Sequence, residues 1–226
     1  MKGVLYFFFP PVCGICGKIG TSYLCPNCQN QIQNATIFLN QIQDYRKDQT
    51  KYFDFHAYLF SYEAPIREKI LQYKFEEQGY LVNLFSEFLV KNEKICGFLK
   101  NYDIITSVPM TKKKVKQRGY NQSQLLASKI VNKIPDLILE KQILVKYKEN
   151  KTQSSLNKLQ RLENVKNVYK VQNTAKIKEK KVLLFDDIYT TGATVNECAK
   201  VLKQAGAKEV GILTIAKDEL VLSKKQ

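Results

Sequence analysis

The sequence predicts an α/β protein built on a largely parallel sheet and preceded by a small metal-binding module, and three observations carry that prediction. Val182 to Phe185 form an apolar run of strand-forming residues with no polar face, the pattern of a strand covered on both sides, as parallel strands are. From residue 52 onward, predicted strands alternate with predicted helices, the order that strand–helix–strand units require. Before them, Cys13, Cys16, Cys25 and Cys28 stand in a C-x2-C-x8-C-x2-C array that the rest of the chain does not repeat.

Taken in order, the chain opens with MKGVLYFFFPPVC, whose short apolar run ends at Pro10 and Pro11 and is too brief for a secretory core. No apolar run approaches the ~18 residues of a membrane span, so the expectation is a cytoplasmic protein without membrane insertion. The four cysteines follow. Paired C-x2-C turns let two thiolates each converge on one ion, and Gly14 and Gly17 ease the tight backbone around the first pair. Tetrahedral zinc is the leading occupant, with an iron–sulfur cluster or two disulfides as alternatives. His56 is the only histidine, so the ligand set is all thiolate and the site is closed and structural. Residues 1–50 thus read as a module plus a Gln- and Asn-rich connector, in which Ile32, Ile37, Leu39 and Ile42 are too irregularly spaced to predict a helix. Residues 51–226 read as the main domain.

Within that domain YFDFHAYLFSY predicts a strand at 52–62, and helices are expected near 64–75 and 79–95. A second strand follows at 103–109, a helix at 121–134, and strands at 143–148, 168–171, 181–187 and 209–216. Cys96 and Cys198 sit in apolar helical surroundings and read as small core residues, and His56 reads as a strand residue. A Ser–His–Asp or Cys–His nucleophilic site is therefore not supported.

The most informative stretch begins where the apolar strand ends. Asp186 and Asp187 close it, TTGAT follows, and Val195, Cys198, Ala199 and Leu202 recur at helical spacing up to Gly206. A parallel strand that runs into a helix start exposes free N–H groups at the ligand edge of the sheet, which suits phosphate. Gly192 permits close backbone approach, and Thr190, Thr191 and Thr194 offer hydroxyls to phosphate oxygens. Two adjacent acids hold phosphate poorly but accept hydrogen bonds from a sugar diol or hold Mg2+. Neither a P-loop nor a dinucleotide-binding glycine pattern occurs in the right context.

Two loops and the overall charge complete the reading. The 36 basic against 21 acidic residues give a net charge of +15, which suggests a polyanionic partner such as nucleic acid. A codon bias toward Lys is the competing explanation, since Arg occurs only at 46, 67, 118 and 161. Residues 107–127 leave a strand end and cross Lys112, Lys113, Lys114, Lys116 and Arg118, the candidate phosphate contacts for DNA, unless the run is merely a solvated loop. Residues 149–171 are polar, lack apolar periodicity in their first half, and read as a mobile flap.

These motifs together resemble a known family. VLLFDDIYTTGAT is similar to the phosphoribosyl pyrophosphate (PRPP) signature of type I phosphoribosyltransferases. VPM…QRGYNQSQLLA, KTQSSLNKLQRLENVKNVYKV and the N-terminal cysteines add a resemblance to the ComF (ComFC) family of competence proteins. The resemblance implies a sheet of the type I phosphoribosyltransferase kind and a role in DNA uptake during natural transformation, with single-stranded DNA and competence helicase or recombination proteins as partners. It implies that Asp186, Asp187, Thr190, Thr191, Gly192, Ala193 and Thr194 take PRPP with Mg2+, that Ser107, Val108 and Pro109 form the pyrophosphate loop, and that Gln153 and Arg161 belong to the flexible loop. Asp186, Asp187 and Arg161 would then be the catalytic residues of a transferase releasing pyrophosphate. The alternative is a non-catalytic PRPP-sensing or DNA-binding adaptor.

Overall fold

The computed structural model describes residues 10–76, 78–148 and 158–218. Eight strands are described: β1 (Phe38–Asp44), β2 (Phe55–Ser61), β3 (Ile104–Ser107), β4 (Ile138–Leu139), β5 (Leu144–Lys146), β6 (Tyr169–Val171), β7 (Lys181–Tyr189) and β8 (Glu209–Lys217). Six of them make one sheet in the order β1-β2-β8-β7-β3-β4, parallel throughout except for the antiparallel edge pair β1 and β2. β5 and β6 form a separate antiparallel pair, at whose open end the chain between them emerges. The largely parallel α/β architecture expected from the apolar runs is the one observed.

The helices are α1 (Pro26–Gln33), α2 (Ile66–Phe75), α3 (Leu81–Val90), α4 (Glu93–Leu99), α5 (Lys112–Arg118), α6 (Gln122–Val131), α7 (Lys158–Val165) and α8 (Ala193–Gln204). They cover both faces of the sheet, and the alternation of β7 records this. Val182 and Leu184 enter one core with Val195, Cys198, Ala199 and Leu202 of α8. Leu183 and Phe185 enter the other with Leu126, Ala127 and Ile130 of α6 and Leu81, Leu84 and Phe85 of α3. A strand whose two sides both meet helices has no use for polar residues until it leaves the sheet. β3 and β7 are hydrogen-bonded neighbours, yet the helices that follow them lie on opposite faces. That reversal opens a crevice beyond their carboxyl ends, where ligands of open α/β sheets bind.

Several boundaries differ from expectation for identifiable reasons. The helix predicted over 79–95 is two helices, because the Asn92 side chain accepts a hydrogen bond from the Ile95 amide and starts α4 anew. The connector before residue 50 holds α1, which begins with Pro26, and β1, which becomes the sheet edge. Irregular spacing concealed both, since α1 buries only Cys28 and Ile32 and β1 is an edge strand. The basic run expected as loop is α5, capped by Thr111 at its start and ended by Gly119 at φ 79°.

The cysteine segment docks on the main core. Cys13, Leu24, Cys28 and Ile32 share a hydrophobic cluster with Leu81, Leu84 and Phe88 of α3. A Cβ on Gly14 would come within 2.8 Å of Leu84 Cδ2, so the loop lies directly on that helix and glycine is what fits there. Leu84→Ala should therefore cost about 2–5 kcal/mol. Denaturant titration should show the cysteine segment and the sheet melting in one transition, whereas an early separate loss of the segment would mean that it is independent of the core.

Candidate functional site

β7 runs two residues further than expected and delivers Asp186, Asp187 and Tyr189 at the crevice. Asp187 is 5% exposed and both of its oxygens are engaged. Lys74 Nζ lies 3.1 Å from Oδ2, and Ser123 Oγ donates to Oδ1 over 3.1 Å. Lys74 comes from the last turn of α2 and Ser123 from the first turn of α6. A carboxylate this deep requires such partners, because an unpaired buried charge costs several kcal/mol.

Asp186 is left with less. Its Oδ1 accepts the Asp187 amide at 2.9 Å and a long 3.5 Å contact from Ser123 Oγ. Burial, and then the neighbouring Asp187 charge, push its pKa up from 3.8 to about 7, against the opposing pull of Lys74. Asp186 therefore retains acceptor capacity for an incoming diol or cation, whereas Asp187 is committed to the protein.

The turn after β7 supplies the second half of the site. Gly192 caps α8 at φ 74°, and a Cβ there would lie 2.2 Å from Tyr189 Oη. Both the backbone angle and the tyrosine beneath it demand glycine. The Tyr189 ring is itself stacked on His56 at 4.4 Å, and His56 Nε2 lies 2.9 Å from Thr214 Oγ1. The one histidine thus supports the floor of this turn from inside β2, and burial holds its pKa well below the usual value. Asp186, Thr190, Thr191, Gly192, Ala193 and Thr194 surround a small hollow of about 40 Å3 at the start of α8, where a helix N-terminus favours an anion and the Ala193 amide donates to Thr191 Oγ1 at 3.4 Å.

Asp186, Asp187, Thr190 and Thr194 also line a larger cavity of about 470 Å3. Val108, Pro109 and Met110 line the same cavity, as do four cations, Lys74, Lys114, Arg118 and Lys146. That excess of positive charge suits a polyphosphate. Ser107 is directed instead to a neighbouring hollow of about 540 Å3, which shares Pro109, Met110 and Lys146 with the first. The five candidate DNA contacts divide. Lys114 and Arg118, one turn apart, line the acid-pair cavity, Lys112 lines the neighbouring hollow, and Lys113 and Lys116 are exposed. Arg161 falls on α7, but its side chain, like Gln153 and most of the expected flap, lies outside the described residues. Sequence reasoning missed Lys74. Its one signal was position, near the end of a helix predicted to reach residue 75, and only packing brings it to Asp187.

The four cysteines converge as their spacing requires. All four sulfurs lie within 4.8 Å of one another, and Cys16 Sγ and Cys25 Sγ are 3.9 Å apart. A tetrahedral thiolate site with ~2.3 Å bonds needs sulfurs about 3.8 Å apart, so the donor set fits zinc. All four are free thiols. Burial raises the Cys13 thiol, but amides of Cys16, Cys25 and Ile15 outweigh it and bring its pKa to about 6, while burial and the other sulfurs raise Cys28.

A switch-point crevice with an acid pair on one strand and a glycine-capped helix start after it defines a domain of the phosphoribosyltransferase kind, and residues 115–223 match the phosphoribosyl transferase domain family. The chain is 32% identical over 162 residues to the competence protein ComFC of Streptococcus pneumoniae, covering 72% of this chain and 68% of that protein. It is 28% identical over 214 residues to competence protein F of Haemophilus influenzae, covering 88% and 92%. The DNA utilization protein YhgH of Escherichia coli is 27% identical over 154 residues, covering 67% and 66%. The chain belongs to the ComFC family of competence proteins.

The raised Asp186 pKa fixes a sign for stability. A carboxyl that holds its proton more tightly when folded stabilises the protein fully below pH ~4, and that contribution is lost as pH rises toward about 7. Asp186→Asn keeps the shape without the charge, so its melting temperature should match wild type near pH 4 and exceed it at pH 8, by roughly 2–4 °C per kcal/mol relieved. Thermal melts across pH 4–8 test this. A constant difference across that range would mean that Asp186 is charged throughout.

Proposed function

We propose that this protein binds PRPP with Mg2+ in the cytoplasm and handles single-stranded DNA during natural transformation. The observation that carries the reading is the pairing, on one crevice, of Asp186 with the Gly192 helix start across a cavity rich in cations. In this reading the 5-phosphate takes the amides and hydroxyls of Thr190 to Thr194. The ribose diol donates to Asp186, and the pyrophosphate lies along Val108 and Pro109 toward Lys74, Lys114 and Arg118. Asp186 is the carboxylate that would hold Mg2+, which would supply charge neutralisation for the leaving group.

The chemistry that such a site supports is displacement at C1. The bond from C1 to the pyrophosphate oxygen breaks, a nitrogen of the acceptor bonds to C1, and the proton on that nitrogen passes to water. The sugar gains oxocarbenium character, so no protein nucleophile is needed. Positioning and water exclusion supply the rate, and the segment between β5 and β6 is the candidate cover. Lys112, Lys113 and Lys116 are outward cations available to strand phosphates. The similarity to competence and DNA utilization proteins supports this assignment to DNA. The converging thiols of Cys13, Cys16, Cys25 and Cys28 support a structural zinc.

Calorimetry with PRPP and Mg2+ tests the central reading. Binding needs Asp186 charged, so affinity should rise with pH through about 7 in wild type. Asp186→Asn should weaken it by tenfold or more, and a pyrophosphate-release assay with nucleobases and single-stranded DNA then distinguishes transferase from binder. Equal affinity in wild type and variant would overturn the assignment. Asp187 is the wrong residue to neutralise for this purpose, since the change strands Lys74.

Elemental analysis of purified protein should find one zinc per chain, and a strong chelator should lower the melting temperature, because the segment that loses its ion packs on α3. Iron with acid-labile sulfide would replace zinc in this proposal.

A further inference from the structure

The cavity that holds the acid pair has one wall that the reading above does not use. Phe75, the last residue of α2, lines it and is 62% exposed. Single exposed apolar side chains are common and ordinarily carry no meaning. This one differs in two respects. Tyr52, Tyr80, Tyr147, Ile19 and Ile138 are also exposed, yet among these residues Phe75 alone lines the acid-pair cavity. Its ring is also held by a cation, with the Arg118 guanidinium 4.7 Å from the ring centroid.

Arg118 is in turn anchored. Its Nη1 approaches Gln122 Oε1 at 3.5 Å, and Gln122 is buried, with Nε2 donating to the Lys74 carbonyl and its own carbonyl accepting Tyr73 Oη at 2.9 Å. The ends of α2, α5 and α6 are thereby tied together. The residue before Phe75 is Lys74, whose Nζ meets Asp187, so the exposed ring stands one residue from the group that pairs with that acid. Arg118, which lies over the Phe75 ring, is also the last residue of α5, the helix on which Lys112, Lys113 and Lys116 are exposed. A cationic track that ends at an exposed aromatic ring is the combination by which proteins hold single-stranded nucleic acid, phosphates along the track and a base against the ring.

We propose that Phe75, backed by Arg118, is a stacking platform for a nucleobase at the mouth of the PRPP cavity. The inference rests on the PRPP reading for one point only, that a base held there lies beside the sugar and is the acceptor or the sensed strand. The base comes either free or within a single strand. Arg118 and Phe75 both have flat π surfaces that tolerate any base, so the platform reads the presence of a base and not its identity.

The test compares a fluorescent oligothymidylate with an abasic deoxyribose phosphate strand of equal length and charge, by anisotropy on the full chain. Wild type should favour the base-bearing strand by about tenfold, as one stacked base provides. Phe75→Ala should abolish that preference while leaving the salt-dependent binding shared by both strands, and Phe75→Trp should retain it. Displacement of the strand by free thymine or adenine assigns the site to a single base, and its absence assigns it to a base within a strand. Equal binding of the two strands by wild type, or a preference that survives in Phe75→Ala, overturns the platform. Calorimetry with PRPP and Mg2+ on the same wild-type sample separates the two ideas. If PRPP does not bind, the PRPP reading fails whatever the strands do, and if PRPP binds but no base preference exists, only the platform fails.

Discussion

Everything in the site depends on one electrostatic constraint, two adjacent carboxylates carried into a half-buried crevice by a strand that is apolar on both sides. Like charges in low dielectric repel, and each requires partners. The protein treats them differently. Asp187 receives Lys74 from α2 and Ser123 from α6, while Asp186 keeps a backbone amide, a distant hydroxyl and a pKa near neutrality. One acid thus fixes the crevice by tying three elements together, and the other stays available to a ligand.

The constraint extends into the fold. Lys74 can reach Asp187 only if α2 ends over the crevice, and the links from Gln122 to Tyr73, Lys74 and Arg118 hold it there. On the opposite face, the phosphate-type turn needs α8 to begin immediately after β7, with Gly192 passing over Tyr189 and Tyr189 stacked on His56. The two halves of the site are therefore carried by helices on opposite sides of the sheet and meet only at its edge. Such an arrangement lets the walls differ in chemistry, anion-binding amides on one side and cationic side chains on the other.

The cysteine segment contributes at a distance. Its sulfurs are remote from the acid pair in sequence and lie against α3, the helix that covers the same sheet face as α6. A metal there would close a short segment that has little core of its own, and the packing of Gly14 on Leu84 transmits that order to the layer behind the crevice.

The sequence by itself determined the elements with strong periodicity and the chemistry tied to short spacing. The apolar run of β7, the acid pair, the Gly192 turn and the four-cysteine array were legible because each is local, a matter of neighbours along one strand, one turn or one pair of knuckles. The domain family was legible for the same reason. Tertiary structure alone decided what depends on separation in sequence. It joined Lys74 and Ser123 to Asp187, turned Lys114 and Arg118 inward and Lys113 and Lys116 outward, sent Ser107 to a neighbouring hollow, and set Phe75 under Arg118. The connector's β1 was hidden because an edge strand is half-exposed and needs no regular apolar face. Pairings over such distances are fixed by how helices pack across a sheet, and no pattern along a single chain encodes that directly.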